Sequence, residues 1–285
     1  MLRKKYRSIG WVAMRAFSGD RLMQVGINYV ARGLGRMRYF ANDSSRDTVV
    51  LDPRPMEIRA ARDIGATLDD EGFALVPHRS AVSDFADAAE VQRVHPEEIV
   101  DLVRRVSGAD EVVVTGTGVL RFAERSTLSG ALDNSKPARF AHVDVSDATA
   151  GQFGERSLPA DAPAPRRVAH YNIWRAISPA PQDVPLALCD ARSVDAADLL
   201  PADAMFDQDG EIVWSFEGLV VAHSPAHRWH WFPDLSRDEA IVFKTNDSDP
   251  DRAHSVPHVA FDDPQCPVGA VPRASIEMRA IAYWF

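Results

Sequence analysis

The second half of the chain alternates short apolar runs with Pro, Asp and Gly. From Val168 onward the runs cover residues 168–177, 185–190, 211–214, 219–222, 229–232, 239–244, 258–261 and 275–285. Runs this short, rich in β-branched and aromatic residues and bounded by turn formers, read as strands. Their succession predicts a mainly β fold with flanking helices, a sandwich or jelly roll. The first half is more mixed. His95-Pro96 predicts a helix start, with Glu97 and Glu98 in the first turn and Ile99, Leu102, Val103 and Val106 on one face, and Gly108 ends it. Residues 48–51 read as a short strand before Pro53, residues 69–76 as a turn and an apolar run, and residues 111–115 as a β-branched strand. Residues 123–138 and 146–166, rich in Ser, Ala, Asp and Pro, predict loops of the kind that form a lid.

Length and composition add limits. With 285 residues, 46% hydrophobic and 26% charged, the chain has the make-up of a globular protein with a sizeable core. The net charge of −9 is unevenly placed: residues 1–40 carry nine Lys or Arg and one acid, leaving −17 on the remainder. An acidic body argues against nucleic acid as a partner. The basic start predicts an extension over residues 1–24 ahead of a single domain over 25–285. As an arm it would pack on the body or on a second copy in a homo-oligomer; the other readings are an anionic-surface contact and a targeting segment. Cys189 and Cys266 are the only cysteines, so no disulfide framework or Cys-rich zinc site is expected, and a cytoplasmic location is. No apolar run reaches the roughly 18 residues of a membrane span.

The candidate chemistry centres on His142-Val143-Asp144. Side chains alternate along a strand, so His142 and Asp144 share a side and reach one ion together. Any His-x-Asp arises easily by chance, and the context strengthens it. Asp238–Phe243 forms an apolar strand, a loop follows, and then comes His258 in Pro257-His258-Val259. Two imidazoles and one carboxylate on one face of Fe(II), with the opposite face open, make the facial triad of non-haem oxygenases. Arg273 and Ser275 follow with matched parity, a guanidinium fork and a hydroxyl suited to the far carboxylate of 2-oxoglutarate. Arg279 has the same parity and reads as a second cosubstrate or substrate anchor.

Other residues compete or assist. His223, His227, His230 and His254 are rivals for the distal ligand position; His227 and His230 come early in the order, and His254 sits in a polar loop. Asn172 and Trp174 share one face of an early strand and are candidate cosubstrate contacts, against a purely structural Trp. Tyr171, Arg175, Arg228, Trp229 and Lys244 are candidate substrate contacts. The bland alternatives are surface pairing for the arginines and a solvent-reaching or buried charge for Lys244.

These blocks resemble a known family. They are Ala138–Asp144, Tyr171–Arg175, Pro185–Val194, His227-Arg228-Trp229, Asp238-Glu239 with Phe243-Lys244, Pro257-His258 and Pro272–Arg279. The sequence is similar to the secondary-metabolite hydroxylases and desaturases, the group that includes aspergillic-acid hydroxylase, gibberellin-desaturase-like proteins and the small partner protein of cephamycin methoxylation. The likeness spans about residues 25–285. It departs at Ala274, where the family commonly has Glu, and at His230-Trp231. The resemblance implies a double-stranded β-helix with Fe(II), 2-oxoglutarate and O2, acting on a small-molecule substrate with release of succinate and CO2. Two alternatives remain: a non-catalytic partner subunit, and a metal-dependent enzyme of the same fold that does not use 2-oxoglutarate. A methyltransferase has no support, because Gly116-Thr117-Gly118 lacks the third glycine and helix start of a nucleotide loop.

Overall fold

The computed structural model describes residues 22–33, 35–208 and 210–285. In chain order the first elements are β1 (Leu22–Val30), β2 (Met37–Phe40), β3 (Leu51–Ala60), β4 (Phe73–Pro77), α1 (Ala88–Ser107), β5 (Glu111–Phe122) and β6 (His142–Val143). Then come α2 (Asp147–Ser157), β7 (Arg167–Ala176), β8 (Leu186–Cys189), β9 (Leu199–Gln208) and β10 (Glu211–Val221). β11 (Trp229–Trp231), β12 (Glu239–Asp247), β13 (His258–Ala260) and β14 (Ala274–Trp284) complete the series. Two sheets result. The larger has the order β1-β3-β11-β8-β13-β6-β10-β9-β2, and the smaller β4-β12-β7-β14-β5. The expected extension over residues 1–24 lies outside the described residues except for Leu22–Gln24, which open β1 and pair with β3.

The apolar core has a part on each side of the smaller sheet. Tyr171, Ile173, Val242, Met278 and Ala280 point outward and pack under Ile99, Leu102 and Val103 of α1. Trp174, Ile241 and Phe243 point inward and meet Leu186 and Leu188 of the larger sheet. Each such side chain, taken fully out of water, contributes on the order of 1.5–3 kcal/mol. The site is built beside this inter-sheet layer, so the packing that joins the sheets also aligns its two halves.

Several elements differ from the sequence expectation, each for a local reason. α1 starts at Ala88, not at His95, because Asp87 accepts from the Ala89 and Glu90 amides and caps it there. Pro96 is therefore internal, and Gly108 closes the helix in the left-handed region at φ 68°. β3 runs through Pro53 and Pro55, which the 48–51 reading did not allow. The two prolines share a parity, so both missing N–H groups fall on one edge of β3, and β11 pairs only with Ile58–Ala60. Within the expected loop 146–166, Ser146 caps α2 by accepting from Thr149 N. Gly154 of α2 sits so close to β7 that an added Cβ would lie 3.2 Å from Val168 Cγ1. β9 shows no clean apolar run and is visible only through its pairing with β10 and β2.

Candidate metal and cosubstrate site

β6 and β13 are neighbours in the larger sheet, and His142 stands directly opposite His258. Their ring centroids are 4.2 Å apart. His142 Nδ1 lies 2.9 Å from Phe140 O and His258 Nδ1 lies 3.1 Å from Val256 O. A carbonyl only accepts, so each Nδ1 carries the proton and each Nε2 presents a lone pair. Asp144 follows β6 directly. Its Oδ1 is 3.5 Å from His142 Nε2 and 3.5 Å from His258 Nε2. The three ligand atoms lie within 4.8 Å of one another. Two ligands bound side by side at about 2.1 Å from an ion sit about 3 Å apart. The cluster therefore fits one small divalent cation after slight side-chain adjustment. It is the arrangement of two nitrogens and one carboxylate that suits non-haem iron.

The smaller sheet steadies this cluster from the other side. Asn172 on β7 and Arg279 on β14 are paired in register. Asn172 Nδ2 donates to Asp144 Oδ2 at 2.9 Å, and Arg279 Nε donates to the same oxygen at 3.0 Å. Oδ1 is left free for an ion. Arg279 Nη2 also donates to Glu277 at 3.1 Å. Burial works against the Asp144 carboxylate, but the Arg279 guanidinium outweighs it and holds the pKa well below the usual value. Burial also lowers the His142 pKa, with His258 adding to the effect, which keeps the ring neutral and able to ligate.

A narrow cleft leads from the triad past Trp174, Leu186 and Glu277 to Arg273. Arg273 is 2% exposed. Its Nη1 donates to Ser275 Oγ at 2.8 Å, while Nε and Nη2 have no hydrogen-bond partner. Burial, with Arg121 and Arg139 nearby, pulls its pKa down to about 9, so it stays cationic at neutral pH. A buried guanidinium with two idle donors is costly unless an anion meets it. Its charge centre lies 5.8 Å from the Trp174 ring, which closes one side of the cleft.

Other sequence candidates fall elsewhere. Arg279 and Asn172, expected as anchors of cosubstrate or substrate, instead hold the Asp144 carboxylate, because their register points them at Oδ2. Tyr171 faces the opposite way from Asn172, into the α1 core. Arg175 is on that outer face too. It bonds to His78 Nδ1 and donates to Arg237 O at 3.2 Å. Lys244 pairs across the sheet with Tyr171 and points away from the triad. Its Nζ lies 2.6 Å from Asp247 Oδ2, an ion pair by distance though off the ideal N–H line. Arg228 is half exposed and reaches Asp190 at 3.0 Å. Trp229 is buried and donates to Tyr29 OH at 2.7 Å. Among the rival histidines, His254 reaches Asp147 at 2.7 Å, His227 meets Tyr29 and Asp198, His230 packs on Phe73, and His223 meets the Tyr29 ring.

Four residues at the site were not among the site candidates read from the sequence. Glu277 shares the parity of Ser275, and that alone hinted at its inward position. The Phe243 ring lies 4.7 Å from the His258 ring, tilted by 58°. Gly218 on β10 lets the Asp144 strand approach: an added Cβ would lie 2.8 Å from Asp144 O and 2.7 Å from Tyr39 OH. Arg121 lines the cleft from β5.

Comparison with known proteins agrees with this geometry. Residues 27–283 match the family described as an oxidoreductase/YMDC permease-like domain. No helix among the described residues is long and apolar enough to cross a membrane. The hydroxylase/desaturase CTB9 of Cercospora beticola is 31% identical over 242 residues, which is 76% of this chain and 72% of that protein. The alpha-ketoglutarate-dependent dioxygenase phiK of a fungal species is 29% identical over 245 residues, 81% of this chain and 84% of that protein. Among solved structures, the iron and alpha-ketoglutarate-dependent endoperoxidase NvfI superposes with a TM-score of 0.78 at 21% identity, covering 92% of this chain and 98% of its own. That likeness shows the shared fold, the double-stranded β-helix expected from the sequence. The chain belongs to this oxidoreductase family, alongside the iron- and 2-oxoglutarate-dependent hydroxylases and desaturases that match it.

Proposed function

We propose that the protein is an Fe(II)- and 2-oxoglutarate-dependent oxygenase that hydroxylates or desaturates a small molecule of secondary metabolism, with O2 consumed and succinate and CO2 released. The observation that carries this reading is the pairing of two features in one cleft. Three ligand atoms converge within 4.8 Å, and a buried guanidinium with idle donors waits beside them. An enzyme of this fold that used no dicarboxylate would leave Arg273 uncompensated.

Fe(II) with bound 2-oxoglutarate supplies the O2 activation and C–H cleavage, and the protein supplies position and shielding. His142 Nε2, Asp144 Oδ1 and His258 Nε2 are assigned as the metal ligands. Asn172 and Arg279 stop the Asp144 carboxylate from turning and keep it ionised. Arg273 and Ser275 are assigned to the far carboxylate of the cosubstrate. Trp174 and Leu186 wall the cleft and exclude water, which strengthens each charge interaction inside it. The absence of a disulfide-forming pair, with Cys189 buried and Cys266 partly so, supports a cytoplasmic setting.

The test is to load the protein with Fe(II) without oxygen, add 2-oxoglutarate and O2, and measure succinate and CO2. The expected result is stoichiometric formation of both, absent in His142→Ala. A fully iron-loaded protein that forms neither would point to the partner-subunit alternative.

A further inference from the structure

Once both ends of the cosubstrate are assigned, one guanidinium at the site still lacks an anion. Arg121 on β5 is paired in register with Ser275, so it shares the inward face of the sheet. Its Nη1 donates to Asn134 O at 3.1 Å, Asn134 Oδ1 at 3.0 Å and Lys136 O at 2.7 Å. No carboxylate forms an ion pair with it among the described residues. The nearby acids Glu277 and Asp144 both bond Arg279, and Glu277 supports the Arg121 charge only at longer range. Arg121 and Arg273 thus stand as two guanidiniums with no direct ion-pair partner among the described residues, beside one metal cluster. 2-Oxoglutarate has two carboxylates, one for the metal and one for Arg273, and none remains for Arg121.

The cavity in front of Arg121 has a definite character. It measures about 550 Å³ and reaches from His142 and Asp144 outward. Tyr39, Phe140, Phe206 and Phe216 line it with aromatic surface, in pairs with ring centroids 5.2 Å and 5.5 Å apart. Arg139 at its edge is already paired with Glu124 and Asp262. Lys136 lies at the exposed rim. The result is a box with an aromatic stretch of wall, polar lining from Asn42, Ser44, Asp47 and Asn134, and the Arg121 guanidinium, with the metal ligands His142 and Asp144 also on its surface.

We propose that Arg121 receives a carboxylate of the organic substrate, so that the substrates of this enzyme are apolar, ring-bearing carboxylic acids. The inference rests on the proposed function only in assigning the cosubstrate's two ends elsewhere.

The experiment compares 2-naphthoate with its neutral isostere 2-naphthamide, by calorimetry, on the full chain loaded with Mn(II) and 2-oxoglutarate. A charge-assisted hydrogen bond predicts that the acid binds about ten-fold or more tightly than the amide. In Arg121→Gln that preference should fall to about two-fold, while the 2-oxoglutarate Kd stays within about three-fold of the parent. Equal binding of acid and amide by the parent protein overturns the proposal, and so does a preference that survives Arg121→Gln. A ten-fold or greater loss of 2-oxoglutarate binding in Arg121→Gln also overturns it, and gives Arg121 to the cosubstrate. Should the glutamine variant not fold, Arg121→Lys replaces it; it should keep most of the acid preference, and its loss there contradicts a charge-based contact. Failure of the parent protein to bind 2-oxoglutarate refutes the proposed function instead, and the acid–amide comparison is then read on the Mn(II)-loaded protein alone.

Discussion

Two buried charge clusters lie on opposite faces of the smaller sheet, and they differ in one respect. On the outer face Asp247 accepts from Arg167 at 2.6 Å and 3.0 Å and lies 2.6 Å from Lys244 Nζ. Arg167 also stacks on the Trp284 ring at 4.0 Å. Asp69 adds a second carboxylate, 3.5 Å from Lys244 Nζ and 3.8 Å from Arg167 Nη2, so the two cations meet two acids within the protein. On the inner face Arg273 has idle donors, and Asp144 Oδ1 faces two imidazole lone pairs with no proton between them. Burial costs are similar in both places, since the side chains of Lys244 and Asp247 are fully buried and Arg273 is 2% exposed. A cluster closed on itself belongs to the fold, whereas one left open is arranged for something that arrives later.

Substitutions sharpen this contrast. The largest effect is expected at Asp144. Asp144→Ala removes the only carboxylate of the triad, so Fe(II) stoichiometry should fall to near zero and turnover with it; retained stoichiometric iron would refute the ligand assignment. Arg273→Ala should weaken 2-oxoglutarate by about a hundred-fold or more, as removal of one partner from a buried ion pair costs about 3–5 kcal/mol. Its melting temperature without cosubstrate should hold or rise, because an uncompensated cation has been removed. The outer cluster should respond the opposite way. Asp247→Asn leaves Lys244 and Arg167 with only the half-exposed Asp69, 3.5 Å and 3.8 Å away, and should cost about 3 kcal/mol of stability in denaturant melts. Its 2-oxoglutarate affinity should be unchanged, and a change would show the two faces to be coupled. Gly218→Ala should cost about 1–3 kcal/mol by forcing β10 from the Asp144 backbone, with a loss of iron affinity. Asn172→Ala deletes one of two hydrogen bonds to Asp144 and should weaken Fe(II) by about ten-fold, the low end for an outer partner of a ligand.

The same contrast explains what the sequence made legible. Parity paired His142 with Asp144 and Arg273 with Ser275, because strand alternation turns a two-residue step into a shared face, while His258 was singled out by its place after the Asp238–Phe243 strand; the fold brings the two histidines and Asp144 together. β7, β8, β12, β13 and β14 were readable for a related reason: buried on both faces, they appear as largely apolar runs. Parity could not say which sheet face is inward. Lys244 and Tyr171 therefore looked as suitable as Asn172, although their register turns them toward α1. Nor could it show that Arg279 is consumed by Asp144 and Glu277. Arg121 is a lone cation in an apolar strand, and only the register with Ser275 gives it meaning. α2 was hidden by Gly151 and Gly154, of which Gly154 is required by the close approach of β7 and not by helix propensity.

Anomalous diffraction from a crystal soaked with Mn(II) and 2-oxoglutarate in the absence of O2 tests the central claim most directly. The account predicts a single strong peak bonded to His142 Nε2, Asp144 Oδ1 and His258 Nε2, with the far carboxylate of the diacid on Arg273 and Ser275. A peak bonded elsewhere, or a diacid that leaves the Arg273 donors unmet, would contradict it.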